Sequence, residues 1–277
     1  MTYDKLGRFG VWRPYFGFDP EDARELELLG YGAVWLGMSP PADLAAVEEV
    51  LAASESLIVG TSIVNIWAEP ARAVADSFHR IDQRFPGRIL LGVGAGHPEN
   101  TQEYRKPYDA LVEYLDDLDA AGVPAERRAL AALGPRVLKL AAERSAGALP
   151  YFVPAAHATT ARKILGPEAL LATEHMVVMT EDIATARTAA ADTAALYLRL
   201  RNYVSNLLRL GFTDADVAVP PSDRLFDAIF AYGTPEKIAA QVSQHLDFGA
   251  DHVAVQILGE DYLPALRTLA PVLAARI

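Results

Sequence analysis

A chain of 277 residues, 51% hydrophobic and 22% charged, fits one large α/β barrel or two ordinary domains and carries enough apolar residues for a substantial core. Its formal net charge of -11 argues against nucleic acid or an anionic membrane surface as partner, because both select clustered Lys and Arg. No cysteine is present, which excludes disulfides, thiolate chemistry and Cys-ligated metal and fits a reducing compartment.

Phe9 to Trp12 predicts a first strand, and Asp19-Pro20-Glu21 follows as N-cap, N1 proline and acidic first turn of a helix that Gly30 stops. Ala33 to Leu36 is a second strand. Asp43 caps a helix to Ala53 whose apolar face is Leu44, Val47, Val50 and Leu51. The third strand runs from Leu57 to Trp67, turning polar at Asn65, and Glu69-Pro70 opens a helix to Phe85.

The stretch GRILLGVGAGHPE, residues 87 to 99, follows. Ile89 to Val93 reads as a strand buried on both faces, the kind found in parallel sheets. Gly94, Ala95 and Gly96 then let the chain turn sharply and let a flat or anionic ligand approach the main chain; the alternative is a tight turn beside a packed helix. The spacing does not fit a dinucleotide fingerprint, whose third glycine should come one residue later at the mouth of a helix.

Tyr104 to Ala121 predicts an amphipathic helix, Ala129 to Leu133 a fifth strand, and Gly134-Pro135 the start of a helix to Arg144. The free N–H groups at that helix mouth, with Arg136 beside them, suit a phosphate; the alternative is an ordinary turn with a solvated arginine. Strands at 148 to 153 and 175 to 179 flank a helix at 159 to 165. From Asp182 to Ala231 the strand rhythm lapses into helices, read as an excursion on the barrel because 50 residues make a poor independent core. Thr234 caps a helix through Phe248, His252 to Leu258 is the eighth strand, and Tyr262 to Ala275 closes the chain. Eight strand-helix units predict a single α/β domain over 1 to 277, a closed (β/α)8 TIM barrel with a helical insertion at 182 to 231.

The amino-terminal stretch has no apolar signal core, and no apolar run reaches the roughly 18 residues of a membrane helix, so a soluble cytoplasmic protein is expected. The histidines form no H-x-x-x-H pair, no calcium loop occurs, and there is no G-x-S-x-G elbow, leaving metal binding and that type of serine hydrolysis without support.

Five phrases in this order carry a resemblance: VGTSIVNIW at 59 to 67, PGRILLGVGAGHPE at 86 to 99, YRKPYDALVEYLDDLDAAGV at 104 to 123, ALGPRVLKLAAERSAGALPY at 132 to 151 and GTPEKIAAQVSQHLDFGADHVAVQIL at 233 to 258. With them the chain resembles the luciferase-like monooxygenase superfamily, in its branch dependent on the deazaflavin coenzyme F420. The resemblance implies a flavin-type ring against the third and fourth strands at Ser62, Ile63, Asn65, Gly94, Ala95 and Gly96, a non-proline cis peptide at Ser62-Ile63, and the phosphate at Gly134, Pro135 and Arg136. It also implies a homodimer.

The family's acidic residue after the glycine turn falls on His97, which can still exchange a proton near neutral pH; a capping or exposed loop histidine is the alternative. Where several alcohol-oxidising relatives carry Asp-His, this chain has Met38-Ser39, which favours reduction of an enone, imine or similar acceptor. Trp12, Tyr15, Met38, Ser39 and Trp67 are candidates for the substrate pocket, with core or rim packing the alternative for the aromatic ones. The leading expectation is hydride transfer between F420 and a small organic molecule. An FMN-dependent monooxygenase and a flavin-binding barrel without turnover are the alternatives.

Overall fold

The apolar runs assemble into a closed ring of parallel strands in a computed structural model, which describes residues 3–96, 106–259 and 261–276. The ring consists of β1 (Phe9–Pro14), β2 (Ala33–Gly37), β3 (Ile58–Ser62), β5 (Ile89–Gly94), β6 (Arg128–Leu130), β7 (Gly147–Ala148), β8 (Leu170–Val178) and β10 (His252–Ile257), and β8 pairs with β10 to close it. A short β4 (Val64–Asn65) continues β3 and pairs with β5 at Val93 and Gly94. A short β9 (Phe230–Tyr232) pairs with β8 over Met176 to Val178.

Helices cover the outside: α1 (Ala23–Leu28), α2 (Ala45–Ala52), α3 (Ala71–Arg84), α4 (Pro107–Ala120), α5 (Pro135–Arg144), α6 (His157–Leu165), α7 (Ile183–Tyr197), α8 (Arg201–Arg209), α9 (Asp223–Ile229), α10 (Pro235–Asp247) and α11 (Tyr262–Ala274). The α3 helix shows why they lie there: Val74, Phe78 and Ile81 form one buried stripe at helical spacing and join the main core between helices and sheet. Of the caps read from sequence, Asp182 and Thr234 accept the N–H of Thr185 and Lys237, but Asp43 bonds Ala45 N–H from outside a helix whose N-cap is Leu44. Among the described residues, no helix is long and apolar enough to cross a membrane.

Inside the ring, bulk and emptiness alternate between neighbouring strands. Trp12 of β1 packs over Gly37 of β2, where a Cβ would sit 1.9 Å from the indole, and Trp35 of β2 packs over Gly60 of β3, where it would sit 2.4 Å away. The buried Trp35 indole donates to His252 Nε2 at 2.9 Å, and His252 Nδ1 then has its proton to give to Gly7 O at 2.9 Å. Burial holds the His252 pKa down to about 4, so this ring serves the core as a neutral group.

Several boundaries differ from the sequence reading: the third strand is split into β3 and β4, the fifth is Arg128–Leu130, and the excursion ends in the short β9. The seventh strand begins at Leu170 and includes Glu174 and His175, because its inward face accepts a carboxyl that looked like a strand end. The sixth strand is only Gly147–Ala148; at Phe152 the chain takes φ 54 and its ring enters a second apolar cluster. The helix expected to reach about Leu210 is two helices, α7 and α8, joined through Leu200 in extended conformation, a break that no Gly or Pro announces. That second cluster joins Ala186, Ala190, Tyr197, Tyr203 and Phe226 to Phe152, Met176 and Val178 of the barrel. The excursion therefore packs against the carboxyl end of β8.

Candidate functional site

Strand polarity brings the loops after β1 to β10 to one end of the barrel, and the sequence-derived residues within the described chain cluster at or beside that end. The Ser62–Ile63 peptide is cis, at the position the resemblance implied. Beyond it, Asn65 turns its amide back to accept the Trp67 N–H at 3.0 Å and lies against Gly96, whose φ of 55 suits a residue without Cβ. The Trp67 indole donates to Ala95 O at 2.6 Å, and Ile66 N–H donates to Gly94 O at 3.1 Å. Ser62, Ile63, Asn65, Gly94, Ala95, Gly96 and Trp67 are thus one connected rim. Trp67 also lines an outer groove of about 500 Å³ between α3 and α4.

Gly94 owes its missing side chain to packing, since a Cβ there would lie 2.8 Å from the Ala131 Cβ and 3.0 Å from Ile63. Met38 and Ser39 follow β2 with φ 63 and 57, and Met38 is 50% exposed. Tyr15 packs edge-on against Phe16 and against the main core. Trp12 is 3% exposed, and its ring centre lies 5.3 Å from that of Tyr151. His97 lies outside the described residues.

At the end of β6, Gly134 is the N-cap of α5 with no side chain capping it, Pro135 is N1, and Leu138 N–H is bonded to Gly134 O at 3.0 Å. The Arg136 and Val137 N–H groups precede that bond and have no carbonyl within the helix to receive them. Arg136 itself lies over the Tyr108 ring at 4.2 Å. A second arginine, which sequence reasoning missed, also stands there: the Arg209 guanidinium at the end of α8 lies 3.5 Å from where a Gly134 Cβ would be, steadied by Asn206 Oδ1 at 3.2 Å. Nothing local in the sequence marks Arg209, because 74 residues separate it from Pro135 and only the excursion folding back brings it there.

The neighbouring part of the mouth, after β7 and on β8, holds a cluster that the sequence also left unmarked. Tyr151 lies 5.1 Å from Tyr197 and 6.4 Å from Tyr203, centre to centre, and donates to Gln256 Oε1 at 2.9 Å. Glu174 is buried beside these rings. Burial pushes its carboxyl up to about 8, only partly offset by the Phe152 N–H at 3.3 Å, so it is mostly protonated at neutral pH. The one available signal was a carboxyl inside the apolar run LLATEHMVVM.

The luciferase-like monooxygenase family model matches residues 19–122. A search of curated proteins finds no match. Among solved structures, an F420-dependent secondary alcohol dehydrogenase in complex with an F420-acetone adduct is similar with TM-score 0.77 and 15% identity, over 98% of this chain and 99% of that one. The coenzyme F420 dependent tetrahydromethanopterin reductase from Methanopyrus kandleri is similar with TM-score 0.72 and 14% identity, over 97% and 98%. The oxygenating constituent of 3,6-diketocamphane monooxygenase from Pseudomonas putida, in complex with FMN, is similar with TM-score 0.69 and 13% identity, over 98% of each chain. Over residues 19–122 this chain is similar in sequence to the luciferase-like monooxygenase family, and over nearly its whole length it shares the (β/α)8 fold of these solved structures.

Proposed function

We propose that this protein transfers a hydride between coenzyme F420 and a small organic acceptor bound at the barrel mouth. The observation that carries the reading is the free helix end of α5, at the same end of the barrel as the Gly94 to Gly96 turn and with Arg209 against it. Two N–H groups that no carbonyl within the helix receives, the helix dipole and a guanidinium form a donor set for a phosphate. The residues present fit the phosphate in a second respect: the space that a Cβ on Gly134 would fill lies 3.5 Å from the Arg209 guanidinium.

In this reading Gly134, Arg136 and Arg209 hold the phosphate, while Ser62, Ile63, Asn65 and the Gly94-Ala95-Gly96 turn orient the ring. When bound, the deazaflavin supplies or accepts the hydride. His97 exchanges a proton on the cofactor side, and the Tyr151, Tyr197 and Tyr203 side chains keep bulk water from the reacting atoms.

Titration of the purified protein with F420 and with FMN, followed by tryptophan quenching, tests the reading. Saturable quenching by F420, weakened about tenfold in Arg209→Ala and in Arg136→Glu, is the expected result, about the worth of one charge-assisted contact. Tight binding of FMN with none of F420 would replace it with the flavin monooxygenase alternative. His97→Ala should bind F420 as the parent does and lose about 10²-fold in turnover.

A further inference from the structure

Two buried polar atoms at the mouth belong to neither the phosphate end nor the glycine turn. They are Trp12 Nε1 and Glu174 Oε1, both without a partner among the described residues. Glu174 stands on the inward face of β8, in register with Ala254 of β10, and the Phe152 N–H answers only its other oxygen. Among the described residues, no Lys, Arg or His pairs with it. Its neighbours are Tyr151, Tyr197 and Tyr203, and the Trp12 ring lies tilted against Tyr151, 5.3 Å between centroids.

A carboxyl buried without a counter-charge keeps its proton, because desolvation penalises the ionised form. Both orphaned atoms are therefore donors. Two donors with nothing to receive them, in a site walled by aromatic rings, complement an oxygen on which negative charge develops. Tyr151 is half-buried, whereas Trp12, Phe152, Tyr197 and Tyr203 are buried, so a ligand enters on the Tyr151 side.

Resting on the hydride-transfer reading above, we propose that Trp12 and Glu174 bind the carbonyl oxygen of a neutral conjugated enone and that Glu174 is its proton donor. With reduced deazaflavin bound, its hydride would form a C–H bond at the β-carbon, and the displaced electron pair would move through the conjugated system to the oxygen held by Trp12 and Glu174. The Glu174 O–H bond breaks as that oxygen takes the proton, giving an enol that tautomerises to the saturated ketone. The carboxylate left behind takes its next proton from solvent on the Tyr151 side.

4-Nitrophenol, whose phenolate oxygen mimics the developing enolate, is titrated into the cofactor-free protein at pH 7 and followed by absorbance, with circular dichroism checking the fold of each variant. Trp12→Phe and Glu174→Ala should bind it about tenfold or more weakly, and Glu174→Gln, which still donates through its amide, within about threefold of the parent. Equal binding by all four proteins, or none by the parent, overturns the subsite. Glu174→Gln and Trp12→Phe keep the test decisive if Glu174→Ala does not fold.

In a second arm, with reduced F420 and 2-cyclohexenone, Glu174→Gln should lose about 10²-fold in turnover while binding F420 as tightly as the parent. Retained turnover overturns the proton assignment, and F420 binding by the parent without enone reduction overturns the substrate class. The expected nitrophenol pattern in a protein that binds no F420 would instead sink the hydride-transfer reading and leave the oxygen subsite standing.

Discussion

Single atoms decide much of this mouth. Gly92 lies within the fourth strand, before the ligand-binding turn, and its missing side chain answers to packing: a Cβ there would lie 1.9 Å from Thr61 O and 2.8 Å from Leu149 Cδ1. Thr61 O is backbone of an adjacent barrel strand and cannot swing aside. Gly92→Ala should therefore destabilise the protein by about 3 kcal/mol or more, the upper end of overpacking costs, measured as a lower urea midpoint. Gly166→Ala makes a useful comparison, since nothing lies within 4 Å of the added carbon and only the φ of 81 opposes it; its cost should stay near about 1 kcal/mol. Equal costs at the two positions would show that the barrel wall opens to admit the methyl group.

Elements are joined by side chains whose partners are far apart in the chain. Arg128 of β6 is 1% exposed and donates to the carbonyls of Arg144 at 3.2 Å, Val123 at 3.4 Å and Leu115 at 3.5 Å, besides pairing with Asp119. One side chain at the strand's start thus satisfies backbone acceptors within α4, in the turn after it and at the end of α5. Replacing it with Met keeps most of the volume and leaves those carbonyls unanswered, which should cost about 2–4 kcal/mol in urea unfolding. A loss under about 1 kcal/mol would mean that water replaces the guanidinium. The helices themselves were legible because stripes such as Val74, Phe78 and Ile81 repeat at helical spacing. The short β7 and the break between α7 and α8 were not, since their apolar residues serve the second cluster, which local pattern does not reveal.

For the whole molecule, pH acts through five buried groups. Burial chiefly holds His157, His175 and His252 down to about 4, and His245 well below its ordinary value, with His175 adding to the effect there. The unfolded chain protonates such rings near ~6.5, so between there and about 4 it binds more protons than the folded chain, and stability falls as pH falls. Glu174 works in the opposite sense. Its folded value of about 8 exceeds the ordinary 4.5, so its contribution is complete below 4.5 and is lost as pH rises toward 8. Four histidines outweigh one carboxyl where the windows overlap, which places the highest thermal midpoint near pH ~6.5, with a steep acid limb and a shallow alkaline one. Circular dichroism melts across pH 4 to 8 check this, and Glu174→Gln should flatten the alkaline limb and steepen the acid limb above pH 4.5. A midpoint that keeps climbing to pH 8 would contradict the burial of an unpaired carboxyl.

The sequence by itself determined the strand-helix alternation, the barrel that follows from it, the glycine turn after β5 and the uncapped helix start at Gly134-Pro135, because each is written in local periodicity or in the backbone freedom of one or two residues. The cis peptide position came from resemblance across the chain. What only the tertiary structure decided is which distant side chains meet: Arg209 reaches α5 because the excursion folds back, and Glu174 faces inward with Tyr151, Tyr197 and Tyr203 because β8 enters the ring in that register. A one-residue slip in β8 would turn the same carboxyl outward. Register and long-range docking are set by the packing of the whole barrel, and no window of sequence contains them.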